Sequence, residues 1–153
     1  MENAIHSVLE TFLSKMQARF SKIKIEAKAD NQFRINIESD EPSLLIGHHG
    51  DNIFAIQHLV KLILREKEKL DLNIYIDVDN YRKRQEDNVI KMAEKKVEMA
   101  RKLNSSQSLP AMSPYFRRLI HLHLAQEKFE DIRTLSEGEG DHRYIIIKPN
   151  LVI

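Results

Sequence analysis

With 153 residues, a net charge of +1 and a pI of ≈ 8.0, the chain is no polycation. Any grip on nucleic acid must therefore come from local clustering of charge. Hydrophobic residues at 42% and charged residues at 31% exclude a disordered chain and fit one ordinary domain or two small ones. Cys 0 excludes a disulfide framework and a thiolate metal site.

Residues 1–20 predict a helix, with Ile5, Val8, Leu9, Phe12, Leu13 and Met16 recurring at three- and four-residue steps. Glu2, Glu10, Lys15 and Arg19 break any signal-peptide pattern there, and no apolar run is long enough to span a membrane. The expected setting is cytoplasmic, with no membrane insertion. Strict alternation follows, with Ile23, Ile25, Ala27 and Ala29 on one face and Lys22, Lys24, Glu26 and Lys28 on the other. After Asp30-Asn31 it resumes with Phe33, Ile35 and Ile37 inward and Arg34, Asn36 and Glu38 outward, which predicts a hairpin. Ser39-Asp40-Glu41-Pro42 supplies capping residues and a first-turn proline for a short helix through Ile46. A longer helix is expected to reach about Lys69, burying Ile53, Ile56, Leu59, Val60 and Ile63. Leu72, Ile74, Ile76 and Val78 then alternate with the outward Asn73, Tyr75 and Asp77 as a third strand.

Between the two helices lies Ile46-Gly47-His48-His49-Gly50-Asp51-Asn52-Ile53, which uses two of the chain's four glycines. Gly47 can end one helix and Gly50 can let the next begin at once, because glycine visits backbone conformations that other residues avoid. Without side chains at these positions a sugar-phosphate backbone can come close, facing the N–H groups at the start of the second helix. A Gly-x-x-Gly turn clamping about four nucleotides is the working part of a KH domain. The pattern Ile46-Gly47-x-x-Gly50-x-x-Ile53 closely resembles the KH signature. With the order helix–strand–strand–helix–turn–helix–strand, the resemblance implies a type II KH domain over 1–79.

From Tyr81 the composition shifts. A helix to about Leu103 is expected, with Val89, Met92, Ala93, Val97 and Ala100 at helical spacing, roughly 35 Å long at 1.5 Å per residue. Asn104–Ser108 reads as a polar break and Leu109–Ser113 as a loop, before the N-cap pair Ser113-Pro114. The next helix, to about Lys128, is expected to bury Phe116, Leu119, Ile120, His123 and Leu124. Ile132–Leu135 and Tyr144–Ile147 read as short strands around the loop Ser136–Asp141. Arg117 and His121, four apart, share a helix face, and Lys128 falls close to the same line. Arg117-x-x-x-His121 has the defining spacing of the R-three-H domain, which is associated with single-stranded nucleic acid. The expected fold class is α+β, with a KH domain (α-β-β-α-α-β) followed by an R-three-H domain (α-α-β-β) over 80–153.

Leu109-Pro110-x-Met112-x-Pro114-Tyr115, Arg117-Arg118-Leu119-Ile120-His121 and Ser136-Glu137-Gly138-Glu139-Gly140 follow the KH segment in that order. Together they resemble the bacterial Jag family, also called SpoIIIJ-associated proteins, over nearly the whole chain. The resemblance implies a cytoplasmic RNA-binding protein of the kind linked to cell elongation and envelope synthesis. It also implies association through the KH domain, as a homodimer or with a small single-KH protein. Family members often carry a separate N-terminal Jag domain and a basic linker, whereas this sequence opens on the KH helix. His48 and His49 stand where the family commonly has Lys or Arg, and Phe116 where an acidic residue usually precedes Arg117.

Seven histidines raise a metal reading, yet His48-His49 and His121/His123 lack the paired spacing of zinc sites. His123 is instead expected in the core. No nucleophile elbow or phosphate loop with Lys-Ser/Thr is present, so no catalytic residue, metal ligand or cofactor is assigned. The candidate nucleic-acid contacts are Ile46, Gly47, His48, His49, Gly50, Arg117, His121 and Lys128. The expected partner is single-stranded RNA, with single-stranded DNA left open. The competing reading is a scaffold whose KH domain serves only self-association.

Overall fold

The computed structural model describes residues 1–150; the last three residues of the expected second domain lie outside these. Two compact units divide the chain, the first from Met1 to Lys83 and the second from Arg84 onward.

The first unit runs α1 (Glu2–Lys15), β1 (Lys22–Ala29), β2 (Gln32–Glu38), α2 (Pro42–Ile46), α3 (Asp51–Lys67) and β3 (Asn73–Val78). The sheet order is β1-β2-β3, antiparallel between β1 and β2 and parallel between β2 and β3. Its register lines up Ile25, Ile35 and Ile76 in one row and Ile23, Ile37 and Val78 in the next. Period-2 alternation puts both rows on one face, where they pack on Ile5, Leu9 and Leu13 of α1 and Ile53, Ile56, Val60 and Leu64 of α3. The predicted order of elements is thus the observed one. Both edges are managed. The β1 edge is exposed and rich in lysine. On β3 the Gln57 amide oxygen accepts the Ile76 N–H at 3.0 Å, and Arg82 Nη1 donates to the Ile76 carbonyl at 3.0 Å.

Three expectations for this unit need correction. First, α1 stops at Lys15 rather than Phe20. Gln17 takes φ 57 and its N–H donates to Ser14, while that of Ala18 donates to Leu13, the paired bonds of a Schellman end. No glycine marks the place. Second, the buried stripe of α3 includes Leu64, whereas Leu59 is 46% exposed and Ile63 half-buried. The helix drifts by 3.6 residues per turn, so 53, 56, 60 and 64 stay inward and 59 rotates out. Third, Asp77 is not an outward strand residue; it is fully buried. Its Oδ1 accepts the N–H groups of Val78 at 2.8 Å and Arg82 at 2.9 Å, and Oδ2 accepts that of Lys83 at 3.2 Å.

The second unit is built on α4 (Tyr81–Leu103), whose first three residues belong to the first unit. It continues with β4 (Gln107–Ser108), α5 (Pro114–Leu124), β5 (Ile132–Glu137) and β6 (Tyr144–Pro149), the sheet order being β4-β6-β5. Val89, Ala93, Val97 and Ala100 of α4 lie in one core with Ile120, Leu124, Phe129, Ile145 and Ile147. β4 occupies the segment read as a polar break, because a two-residue strand is held by backbone pairing and needs no apolar pattern. The helix expected to reach Lys128 ends at Leu124. A separate 3₁₀ turn, Glu127–Phe129, then seats Phe129 in the core. Within α5, Ile120 and Leu124 are buried, while Phe116, Leu119 and His123 are half-buried.

Candidate nucleic-acid interface

The glycine turn is built by backbone conformation. Gly47 has φ 70 and Gly50 φ 88, and between them His49 takes φ 52. Gly47 ends α2 and Gly50 starts α3 in the left-handed region, so both glycines are needed where they stand. A Cβ on Gly47 would meet the Asn52 side chain at 2.4 Å. Asn52 cannot simply swing aside, since its Nδ2 donates to the Leu44 carbonyl at 2.8 Å and ties the end of α2 to the start of α3. Asn52 went unassigned in the sequence, where only asparagine's taste for helix ends marks it. Gly50 is buried, and a Cβ there would lie 3.3 Å from the Tyr81 ring. Ile46 is half-buried and packs on the core, whereas His48 and His49 are exposed with their rings edge to face at 4.1 Å. The surface of the turn is thus two imidazoles and bare backbone at the positive end of a 17-residue helix.

In the second unit Arg117 and His121 share one face of α5, as their spacing predicts, but both are held by the fold. Arg117 Nη1 donates to the Met112 carbonyl at 2.6 Å, fixing the loop before α5. His121 Nδ1 lies 2.7 Å from Thr134 Oγ1 of β5. Burial, and then the nearby Arg117 charge, push the His121 imidazole below the usual histidine range, so it stays neutral at pH 7. Beside them Arg118 and Leu122 are exposed, and Arg143 Nε donates to Ser136 Oγ at 2.8 Å. Arg117, Arg118, His121, Leu122, Ser136 and Arg143 line one shallow depression of ≈ 380 Å³. Arg118, Ser136 and Arg143 were not singled out as site residues, because they come together only when β5 and β6 pack beside α5.

Lys128 is not on that line. In its 3₁₀ turn its Nζ lies 3.4 Å from Glu94 Oε1 and 4.7 Å from the centre of the Phe129 ring. His123 Nε2 reaches the same Glu94 oxygen at 2.8 Å, and these two bonds, His123 first, hold the Glu94 carboxyl below its ordinary range. His123 is accordingly a half-buried polar contact rather than an apolar core residue. Among the described residues no helix is long and apolar enough to cross a membrane, and no cluster of three or more His, Cys, Asp or Glu could hold a metal.

Fold and site define a class, a KH domain followed by an R-three-H domain. Comparison with known proteins bears this out: residues 6–78 match the KhpA/KhpB KH domain family and residues 87–149 the R-three-H domain family. Proteins named RNA-binding protein KhpB are similar over most of the chain. That of Clostridium symbiosum is 29% identical over 120 residues, covering 78% of this chain and 53% of the relative. That of Bacillus subtilis is 30% identical over 114 residues, covering 74% and 55%. That of Lactiplantibacillus plantarum is 26% identical over 147 residues, covering 95% and 45%. The chain belongs to the Jag family, in which a KhpA/KhpB-type KH domain precedes an R-three-H domain. It spans about half the length of the curated relatives it matches.

Proposed function

We propose that this chain binds single-stranded RNA at the glycine turn of its first unit and on the α5 face of its second. The observation that carries the reading is the turn itself. Positive-φ glycines turn the chain so that the backbone at Gly47 and two exposed imidazoles stand at the start of α3, with Gly50 buried beneath them, a geometry that suits close approach of a phosphate. The relatives named RNA-binding proteins support the same reading. Ile46 and the buried Gly50 support the turn from within, while His48, His49 and the backbone at Gly47 make the contact. On the second unit Arg118 and Arg143 supply the outward charge, with Arg117 and His121 setting the surface they stand on. Lys128 acts away from this surface. The reaction is binding alone, with no catalytic step. By the Jag resemblance the role extends to cytoplasmic post-transcriptional control, of the kind linked to cell elongation and envelope synthesis.

Replacing His48 and His49 by aspartate adds two negative charges beside the phosphates and removes no core side chain. RNA affinity should fall by more than about tenfold while thermal unfolding stays unchanged. Unaltered binding by that variant would sink the reading. One observation favours the scaffold reading as runner-up: Leu44, Phe54 and Leu59 on α2 and α3 are all exposed. A dimer in sedimentation that binds no RNA would establish it.

A further inference from the structure

The helices cover one face of the first unit's sheet, and the opposite face carries a group of cations that the glycine turn does not use. Register brings them together. Glu26, Arg34 and Tyr75 are cross-strand partners in one row, and Lys24, Asn36 and Asp77 in the next. Lys24, Lys28, Arg34 and Lys83, with Glu26 and Asn36, bound a cleft of ≈ 260 Å³ that has no apolar side chain in its wall.

Most charges here are already matched. Lys24 pairs with Glu38 and Lys28 with Glu26, which holds both carboxyls below their ordinary range, and the Asp77 carboxylate is taken by three backbone N–H groups. Arg34 and Lys83 are the exceptions: among the described residues neither side chain forms a salt bridge, and each acts on the Glu26 carboxylate, already paired with Lys28, only through its charge. Arg34 lies with its guanidinium 5.1 Å from the centre of the Tyr75 ring. Its Nη2 is shut off from solvent and has no hydrogen-bond acceptor among the described residues. Shielded donors are nearly always satisfied, so this one lacks an oxygen. Tyr75 cannot offer its ring to a base, because Arg82 already lies 3.7 Å over it.

We propose that this open sheet face is a second anion site, which takes phosphodiester oxygens of a nucleic-acid backbone without reading its bases. Arg34 contacts one phosphate through its guanidinium N–H groups other than the shielded Nη2, and the ammonium of Lys83 contacts another, in the field of Lys24 and Lys28. An acidic protein would need an apolar anchor that this cleft lacks. The identity of the ligand as RNA rests on the function proposed above; the existence of an anion site does not.

The test titrates the ¹⁵N-labelled full chain with inorganic phosphate, with a uridine octanucleotide and with a glutamate-rich peptide. The Arg34 Nε–H and the amides of Lys28, Asn36 and Lys83 report on the sheet face, and those of Gly47 to Gly50 on the turn. The octanucleotide should shift both sets at far lower concentration than phosphate shifts the sheet set. Arg34→Gln with Lys83→Ala should weaken the octanucleotide severalfold. It should also reduce the slope of log affinity against log salt by about 1.4, at ~0.7 per lost single-strand phosphate contact. Shifts confined to the turn overturn the proposal without depending on whether any variant folds. Phosphate binding as tightly as the octanucleotide overturns it in favour of a small phosphate ligand, and a response to the peptide alone in favour of an acidic protein. If phosphate moves the sheet set and the octanucleotide moves neither, the RNA reading fails while the anion site stands.

Discussion

His121 shows how a signature residue can serve the fold before it serves a ligand. Its ring is half-buried against Thr134, and burial together with Arg117 disfavours its protonation. Towards RNA it is therefore a neutral polar group at pH 7, and the outward charge of α5 comes from Arg118. The same shift makes it a pH-sensitive part of the fold. An unfolded chain protonates this histidine near ~6.5, whereas the folded chain resists until a lower pH. Between those two values the unfolded state holds more protons, so stability falls as pH falls through that window and is flat above it. His121→Gln should remove that part of the pH dependence. Urea midpoints at pH 7.5 and 5.5 would show a larger drop for the wild type than for the variant. Equal drops would mean that the imidazole is not held neutral.

Among the elements, α4 runs from Tyr81 to Leu103 as its pattern predicts, but the residue that caps it, Asp77, is misread. Alternation along β3 assigns Asp77 outward, yet its carboxylate satisfies three N–H groups at the β3–α4 junction, two of them in the first turn of α4. Asp77→Ala strands these donors in a buried place and should cost about 2–3 kcal/mol, against the ~1 of an exposed cap. Asp77→Asn keeps one acceptor oxygen and should lose less. Denaturant unfolding separates the two, and an alanine variant as stable as wild type would show that water replaces the carboxylate. The pattern of legibility follows from the same physics. Periodicity and the Gly47/Gly50 pair are local, so the element order and the turn could be read directly. Helix ends at Gln17 and after Leu124 were hidden because they are set by left-handed residues other than glycine and by the packing of Phe129. The two-residue β4 and the meeting of Arg118 with Ser136 and Arg143 depend on pairing between separate segments. No spacing along the chain encodes those.

On the scale of the whole molecule, the helix between Tyr81 and Leu103 is no bare spacer. It caps on Asp77 in the first unit and gives Val89, Ala93, Val97 and Ala100 to the core of the second. The two proposed binding surfaces belong to one chain, so a strand that holds one of them would meet the other at an effective concentration fixed by the chain rather than by the solution. A four-nucleotide strand can fill only the glycine turn, which takes about that length. It should ignore changes on α5, keeping its affinity within about twofold in an Arg118→Glu variant. A strand of about twenty nucleotides can engage both surfaces, and its affinity in the wild type should exceed the short strand's by more than its larger number of binding registers explains. Arg118→Glu places a negative charge on α5 without touching the Arg117 or His121 bonds, so it should abolish that excess and leave the remainder. Measured by fluorescence anisotropy at fixed salt, an equal loss for both lengths would show that the short strand itself prefers the α5 face. No loss for either would show that the second unit does not hold the strand, and that the length dependence belongs to the KH domain alone.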